Sequence, residues 1–415
     1  MELPLDTDRL PPGTTGVVSV DLGAIASNWR ALAAMVAPAE CAAVVKADAY
    51  GLGASQVVPA LAAAGCRTFF VATADEAAEV RSLAPNVALY VLDGLLPGSA
   101  DALRAMAACP VLSTLEQVRE WAAGSTKFPS PSRGGVRGGA ALQDSEQATA
   151  SHPGPLPAKG GEREYPCALQ LETGLNRLGL TEPEIRRLAS DPDLLARCDV
   201  ALVMSHLACA DDPGHPMNAE QLARFRELSA LLPEAPRSLA ASDGLMLGRD
   251  YHFDLVRPGY ALYGGQAFQG GSAPVRPVVA VHARVLQVHE VPAGGTVGYS
   301  ATWRVGSRRT IATIAAGYAD GIFRHASSGG DEPHGFVAID GHRCPIVGRV
   351  SMDLITVDVS DLPADSPPIG PLTWAELIGS HITLEEAGSR AGTIGYEVLT
   401  RLGRRFHRNY APVRG

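Results

Sequence analysis

Short apolar runs alternate with longer amphipathic runs between residues 40 and 264. The amphipathic runs, such as ASQVVPALAAAG and NAEQLARFRELSALL, place apolar residues at helical spacing, and several of them follow a Ser, Thr, Asp or Asn cap. Eight such repeats predict a (β/α)8 TIM barrel over residues 40–272, with a doubly wound sheet as the alternative. The candidate strands are CAAVVKA, TFFVAT, ALYVLD, CPVLST, CALQLET, VALVMSH, SLAAS and HFDLVRPG.

A strand-like alternation begins near residue 273. The runs PVVAVHARVLQVHEV, TIATIAAGYA, GFVAIDG, CPIVGRVSMDLITVDVS and LTWAELIG are bounded by Gly, Pro and Asp turns. They predict a C-terminal antiparallel β domain over residues 273–415. We expect residues 1–16 to be an N-terminal tail, and the pattern of residues 17–39 predicts a strand and a helix. That strand either precedes the barrel or joins the β domain.

One segment interrupts the barrel pattern. Residues 124–164 are rich in Gly, Ser and Pro and show no periodicity. This composition predicts a disordered insertion between the fourth helix and the fifth strand. In a barrel, the loop that leads from a helix to the next strand lies at the face opposite the active site. We therefore expect catalysis not to need the insertion.

Composition and charge narrow the classes of function. A length of 415 residues suits two domains, and a net charge of −9 argues against nucleic acid or an anionic membrane as partner. The seven cysteines are scattered without a CxxC pair, so neither a disulfide framework nor a metal site is expected. The chain shows no secretory signal and no apolar run of ~18 residues, which predicts a cytoplasmic protein.

Lysine is scarce in this chain. Of 35 basic residues only Lys46, Lys127 and Lys159 are lysines, and Lys46 ends an apolar strand. Burying an isolated ammonium is costly, so a lysine at that position suggests a role that arginine cannot fill. A lysine can lose its proton and attack a carbonyl, whereas a guanidinium cannot.

Chemically active side chains cluster at the predicted strand ends. In a barrel, the C-terminal ends of the strands converge on the active site, and the loops after the last two strands often bind phosphate. A phosphate site combined with an imine-forming lysine indicates pyridoxal phosphate. The residues at these ends are Lys46, Glu172 to Arg177, His206, Ser242, Arg257 and Gly259.

An ordered series of motifs resembles the alanine racemase family. The motifs are VVKADAYGLG, ETGLNRLG, MSHLACAD, FDLVRPGYALYG, VGYSATW, GYADG, VGRVSMD and TIGYEVLTRLGRR, and they extend from about residue 17 to residue 405. The resemblance implies a fold-type III pyridoxal 5'-phosphate enzyme that acts as a homodimer with shared active sites. It further implies interconversion of L- and D-alanine, which supplies D-alanine for peptidoglycan.

The resemblance also implies roles for individual residues. Lys46 is similar to the Schiff-base lysine, which serves as one catalytic base, and Tyr299 to the opposite base, contributed by the other subunit. The residues that match cofactor-binding positions are Lys46, Tyr50, Arg177, His206, Ser242, Arg257, Gly259, Tyr260 and Tyr396. Those that match substrate-binding positions are Arg177, Tyr318, Met352 and Asp353. No metal is expected.

Two positions depart from the family pattern. Gln170 stands where family members often carry a carbamylated lysine; it can hydrogen-bond Arg177 but cannot offset its charge. Ala241 replaces an asparagine that commonly precedes the phosphate-binding serine. The terminal run RLGRRFHR is typical of a solvated basic face, and we assign it no role.

Other functions remain as alternatives. Racemisation of another amino acid, or decarboxylation on the same fold, is the nearest enzymatic alternative, and a non-catalytic pyridoxal-phosphate barrel is an alternative of another class. The GLGASQ stretch lacks the third glycine of a dinucleotide fingerprint because Gln56 occupies that position. The chain contains no HExxH, GxSxG, GKS or GKT motif, which argues against zinc proteases, serine hydrolases and P-loop enzymes.

Overall fold

The computed structural model describes residues 10–124, 165–329 and 334–413. The insertion predicted over residues 124–164 therefore lies, from residue 125 onward, outside the described residues. The first elements are strand β1 (Gly16–Asp21) and helix α1 (Leu22–Val36). The Asp21 side chain caps α1 by accepting a hydrogen bond from the Ala24 amide at 2.8 Å.

The next strands form a closed parallel barrel. Its first strand has two segments, and the last strand pairs in parallel with the first of them, which closes the ring. The predicted barrel is confirmed, and the doubly wound alternative is wrong because an open sheet would leave this edge unpaired. The strands are β2 (Glu40–Cys41) and β3 (Ala43–Val44), then β4 (Thr68–Val71), β5 (Ala88–Val91), β6 (Cys109–Leu112), β7 (Pro166–Gln170), β8 (Asp199–Met204), β9 (Arg237–Ser238) and β10 (Leu255–Val256).

Helices follow the barrel strands and cover them. Two of these helices begin with a capping box, in which a threonine and a glutamate three residues later exchange hydrogen bonds with each other's backbone. The helices are α3 (Ala54–Ala64), α4 (Ala74–Leu83), α5 (Ala100–Ala105), α6 (Leu115–Gly124), α7 (Glu182–Ala189), α8 (Pro192–Ala196) and α9 (Met217–Ser229). The short element α2 (Lys46–Tyr50) is a left-handed turn and not a regular helix.

The C-terminal part is built on a mainly antiparallel sheet around one long strand, β11. This strand pairs antiparallel with β1, so the strand that precedes the barrel in sequence belongs to this sheet. The predicted antiparallel β architecture is confirmed, with one parallel pair, β1 and β19. The elements are β11 (Val279–Val291), β12 (Thr296–Val297), β13 (Trp303–Arg304), β14 (Arg309–Ile314), β15 (Phe336–Ile339), β16 (His342–Pro345), β17 (Ile355–Asp358), β18 (Trp374–Ile378), α10 (Leu384–Arg390), α11 (Gly395–Thr400) and β19 (His407–Ala411).

Strand β19 joins the sheet to the loop after the first barrel strand. The Arg408 guanidinium donates to the Gly51 carbonyl at 3.1 Å, and the Tyr410 hydroxyl donates to the Leu52 carbonyl at 3.0 Å. The segment that follows Lys46 is thus held from the C-terminal part of the chain. Within the described ranges, no helix has the length and apolar character needed to cross a membrane.

Candidate active site

Lys46 lies at the C-terminal end of the first barrel strand, at the start of an unusual turn. The four residues that follow it, from Ala47 to Tyr50, all have positive φ angles of 52–58°. Left-handed backbone costs an L-residue about 1–2 kcal/mol, so the surrounding structure must hold this turn in place. The Asp48 carboxylate accepts from the Ala54 amide at 2.6 Å, and the Glu76 carboxylate accepts from the Ala47 amide at 2.7 Å.

The surroundings of Lys46 favour its neutral amine. Burial lowers the pKa of the Lys46 ammonium, and the nearby positive charge of Arg177 lowers it further. The carboxylates of Glu76 and Asp93 act in the opposite direction without reversing the shift. A neutral amine is the form that attacks a carbonyl and that can accept a proton.

Two further basic side chains share this pocket. Arg257 is buried and donates to the Ser238 hydroxyl and, at 2.6 Å, to the Ser205 carbonyl. In the part of the chain that the structure describes, no carboxylate forms an ion pair with Arg257. Burial lowers the pKa of His206 to about 3, helped by the charges of Arg257, Arg177 and Lys46. His206 is therefore a neutral imidazole near pH 7, in a pocket suited to an anionic ligand.

The loops after the last two barrel strands form a small cradle of donors. The Ser242 hydroxyl accepts from the Gly259 amide at 3.0 Å and from the Ala261 amide at 3.2 Å. A Cβ atom on Gly259 would lie 2.3 Å from the Tyr50 hydroxyl oxygen, so only glycine allows the phenol to approach this backbone. Hydroxyl and amide donors that converge in this way suit a phosphate group.

Tyrosines from both parts of the chain line one side of the cradle. Tyr396 of α11 stacks on Tyr260 with ring centroids 3.9 Å apart, and its centroid lies 6.3 Å from that of Tyr50. The Tyr396 hydroxyl donates to Asp243 at 3.2 Å, and the Tyr260 hydroxyl donates to Glu385 at 3.0 Å. Burial raises the pKa of all three phenols, which therefore stay protonated donors.

The remaining predicted site residues lie on the C-terminal part of the chain. Tyr299 is 69% exposed, Met352 is 53% exposed and Tyr318 is 45% exposed, so all three are among the large apolar side chains that the described chain leaves open to solvent. The amides of Tyr318 and Ala319 donate to the carbonyls of Ser351 and Met352, so two loops meet here. Among the described residues, no hydrogen bond or ring contact connects Tyr299, Tyr318, Met352 or Asp353 directly with the Lys46 pocket. One chain thus displays two separate groups of predicted site residues.

Arg405, to which the sequence assigned no role, joins the two loops of this exposed group. Its guanidinium donates two hydrogen bonds to Asp320, each 2.7 Å long, and a third to Asp353 at 2.6 Å. Asp320 is buried and also accepts from the Gly317 amide at 2.9 Å. The Arg405 side chain is 52% exposed, as expected for a solvated basic face, but it also pairs with acidic residues that lie 52 and 85 residues earlier in the chain.

The Gln170 side chain makes a different hydrogen bond from the predicted one to Arg177. Its amide donates to the Leu178 carbonyl at 3.0 Å, and the described residues show no hydrogen bond from it to Arg177. The side chain points from β7 toward the backbone of the following loop, where the carbonyl next to Arg177 lies within reach. Gln170 therefore fixes the loop that carries Arg177 while leaving the guanidinium free of it.

Comparison with known proteins identifies relatives over nearly the whole chain. Residues 20–267 match the family described as alanine racemase, N-terminal domain, and residues 278–410 match alanine racemase, C-terminal domain. The alanine racemase of Rhizobium meliloti (strain 1021) is 44% identical over 399 residues, covering 95% of this chain and 96% of the relative. That of Brucella abortus (strain 2308) is 42% identical over 429 aligned positions, covering 100% and 98%.

Solved structures agree with these relatives. The alanine racemase of Bartonella henselae, described with covalently bound pyridoxal phosphate, has a TM-score of 0.83 and 37% identity, covering 96% of this chain and 99% of its own. The biosynthetic alanine racemase of Pseudomonas aeruginosa has a TM-score of 0.81 and 31% identity, covering 96% and 100%. The resemblance predicted from the motifs is confirmed.

Proposed function

Because this chain belongs to the alanine racemase family of isomerases, we propose that it interconverts L-alanine and D-alanine with pyridoxal phosphate held at the barrel mouth. The observation that carries the proposal is that the strand leading to Lys46 pairs with the segment of the donor cradle: the Val44 amide donates to the Pro258 carbonyl at 2.9 Å, next to Gly259 and its bond to Ser242. The pKa of Lys46 is lowered at this same place. A supply of D-alanine for peptidoglycan is the biological role that we propose for this activity.

The residues of the pocket fit pyridoxal phosphate. The Lys46 amine suits its aldehyde, and the tight approach of Tyr50 to Gly259 leaves a cradle that a side chain at position 259 would fill. Buried Arg257, with no carboxylate paired to it among the described residues, suits an electron-rich ring nitrogen. We propose that the phosphate is bound by Tyr50, Ser242, Gly259, Tyr260 and Tyr396, and that the ring is bound by Arg177 and Arg257, with His206 behind Arg257.

The chemistry then depends on two proton carriers. When bound, pyridoxal phosphate acidifies the α-proton of an amino acid because it withdraws the electrons left behind. We propose that Lys46 Nζ exchanges this proton on one face and Tyr299 Oη on the other. Two carriers are needed because a single base returns the proton to the face from which it came. Arg257 stays cationic and disfavours a second positive charge beside it, which limits side reactions on the ring.

A second copy of the chain would complete the site. Tyr299, Tyr318 and Met352 are exposed in one chain, and the described residues do not connect them directly with the Lys46 pocket. We propose a homodimer in which this surface of one copy faces the pocket of the other. Tyr318, Met352 and Asp353 would then contact the substrate alongside Arg177.

Activity on alanine is the direct test of the proposed function. The purified protein, supplied with pyridoxal phosphate, should convert either enantiomer of alanine to an equal mixture, as followed by circular dichroism. Serine and lysine should react more slowly than alanine. Faster turnover of another amino acid would indicate a different racemase, and cofactor binding without turnover of any of them would indicate a non-catalytic barrel.

Replacing Gly259 with alanine should weaken cofactor binding. The added methyl group would lie 2.3 Å from the Tyr50 hydroxyl oxygen and displace it from the cradle. We expect affinity for pyridoxal phosphate, measured by absorbance titration, to fall at least ~10-fold, the loss of one good hydrogen bond to a charged group. Gly370→Ala is the control because its Cβ would meet no atom within 4 Å. Equal affinities for the two variants would contradict the proposed cradle.

Replacing Arg405 with alanine should impair alanine binding. Asp320 is buried and would lose its charged partner, so the loops carrying Tyr318 and Met352 would loosen. We expect the KM for alanine to rise about 10-fold, with unchanged absorbance of bound cofactor. Arg401→Ala, which breaks only an exposed pair with Glu397, should leave KM unchanged. An unaltered KM in the Arg405 variant would refute the assignment.

A further inference from the structure

We infer that Glu76 is a positioning residue for Lys46, because its carboxylate fastens the left-handed turn that begins directly after this lysine. The inference rests on the proposed function, since it concerns the reactivity of Lys46 toward the aldehyde cofactor. Glu76 lies on α4, which follows the second barrel strand, whereas Lys46 follows the first. The contact therefore joins two neighbouring units of the barrel.

Each oxygen of the Glu76 carboxylate has its own backbone donor. Oε1 accepts from the Ala47 amide at 2.7 Å, and Oε2 accepts from the Ala72 amide at 2.7 Å and, more weakly, from Thr73. Thr73 in turn caps the Glu76 amide, which completes the capping box of α4. The side chain is thus held rigidly by its own helix while it binds the turn of the preceding unit.

The turn depends on this contact at its first residue. Within the turn, the Ala49 amide bonds to the Val45 carbonyl and the Gly51 amide to the Ala47 carbonyl. The Ala47 amide has neither of these partners and bonds to Glu76 instead. Ala47 is also the first residue with positive φ, so releasing its amide would let the strained backbone relax and redirect the Lys46 side chain.

Glu76 also acts on Lys46 through its charge. The groups that influence Lys46 are the carboxylates of Glu76 and Asp93, which favour its ammonium, and Arg177, which disfavours it. His206 lies close enough to respond to Lys46 and is neutral near pH 7. Removing the Glu76 charge should therefore shift the appearance of the neutral Lys46 amine to lower pH.

Two substitutions separate position from charge. Glu76→Asp keeps the charge but shortens the side chain by one methylene, and Glu76→Gln keeps the length but has only one acceptor oxygen and no charge. Glu184→Gln is the matched control. Glu184 occupies the same third position of α7, forms the same capping box with Thr181 and accepts from Leu115 at 3.4 Å, away from Lys46.

The test combines hydrogen exchange with chemical trapping. The hydrogen-exchange rate of peptides covering residues 44–54 measures how stably the turn is held, and residues 199–204 of β8 serve as the reference. Cofactor-free protein is mixed with pyridoxal phosphate and reduced with borohydride, and the rate of adduct formation at Lys46 is followed by peptide mapping over a pH series. We expect both Glu76 variants to exchange about 10-fold faster over residues 44–54 and at the Ala72 and Thr73 amides, with residues 199–204 unchanged, and to trap cofactor about 10-fold more slowly. Only Glu76→Gln should shift the pH midpoint of trapping downward.

Three outcomes would overturn the inference. The first is that both Glu76 variants exchange and trap cofactor at wild-type rates. The second is that Glu184→Gln changes exchange over residues 44–54 and trapping at Lys46 as much as the Glu76 variants do. The third is that exchange becomes equally fast over residues 199–204, which would indicate general destabilisation. Failure of the wild-type protein itself to trap pyridoxal phosphate would instead refute the proposed function. The two failures are therefore distinguished by the wild-type sample alone.

Discussion

Alanine at position 46 should abolish racemisation, with kcat/KM for alanine falling at least ~10⁴-fold, the upper range for loss of a group that acts in acid–base catalysis. Lys46 would supply both the covalent attachment of the cofactor and one proton carrier, and the pocket offers no second amine among the described residues. Its lowered pKa makes the neutral amine available at lower pH than for an ordinary lysine. The variant should also give no borohydride-trapped adduct.

Two control variants show whether the loss of activity in Lys46→Ala comes from the missing amine. Lys46→Arg preserves the positive charge but cannot attack a carbonyl, so it should be as inactive as the alanine variant. Changing Lys127 and Lys159 together to alanine should leave activity unchanged, because both fall in the segment that we expect catalysis not to need. Substantial activity in Lys46→Arg would show that charge, and not a neutral amine, is what the site requires.

Phenylalanine at position 299 should reduce racemisation by about 10²–10⁴-fold, the contribution of one positioned acid–base group. The Tyr299 ring is exposed, and among the described residues no hydrogen bond or ring contact connects it with Lys46, so cofactor capture at Lys46 should be unchanged. In deuterated water, Lys46 should still exchange the α-proton of one enantiomer. Exchange of the other enantiomer should be lost.

Tyr251→Phe is the control for Tyr299, since it removes a phenol hydroxyl whose charged neighbours, Asp250 and Arg226, are not predicted site residues. It should leave both exchange reactions intact. If Tyr299→Phe still exchanged the α-protons of both enantiomers at wild-type rates, a different residue would have to serve the second face. A loss of cofactor capture in Tyr299→Phe would instead indicate a structural effect.

The periodicity of the chain predicted the barrel well because each strand there pairs with the next strand in sequence. All eight expected strands form the ring. The same pattern could not decide where β1 belongs, since a strand followed by a helix is also the barrel repeat. Its partners, β11 and β19, lie more than 250 residues away, and only tertiary packing shows that pairing.

The barrel side of the site was accessible from sequence because parallel strand ends converge. Lys46, His206, Ser242 and Arg257 could be placed together on that ground alone. The contact between Glu76 and the Ala47 amide could not be predicted from sequence. The TxxE pattern of α4 predicts a capping box but says nothing about a neighbouring loop. The bond between Glu76 and Ala47 requires the relative placement of two barrel units.

The C-terminal side of the site depended on the family resemblance alone. Nothing in the pattern around Tyr299 or Met352 distinguishes a catalytic residue from an ordinary strand or turn residue. Arg405 was missed for a related reason, since Asp320 and Asp353 are distant in sequence and only the folded loops bring them to one guanidinium. Exposure of Tyr299 in the single chain is the structural feature that supports a second copy.

The central claim is that Lys46 of one copy and Tyr299 of another form a single site, and subunit mixing tests it most directly. Lys46→Ala and Tyr299→Phe, which we expect to retain at most about 1% of wild-type activity each, are unfolded together, refolded as a mixture and assayed with alanine. The account predicts about one quarter of wild-type activity, because half of the dimers are mixed and each mixed dimer has one complete site of two. A mixture as inactive as its two components would contradict it.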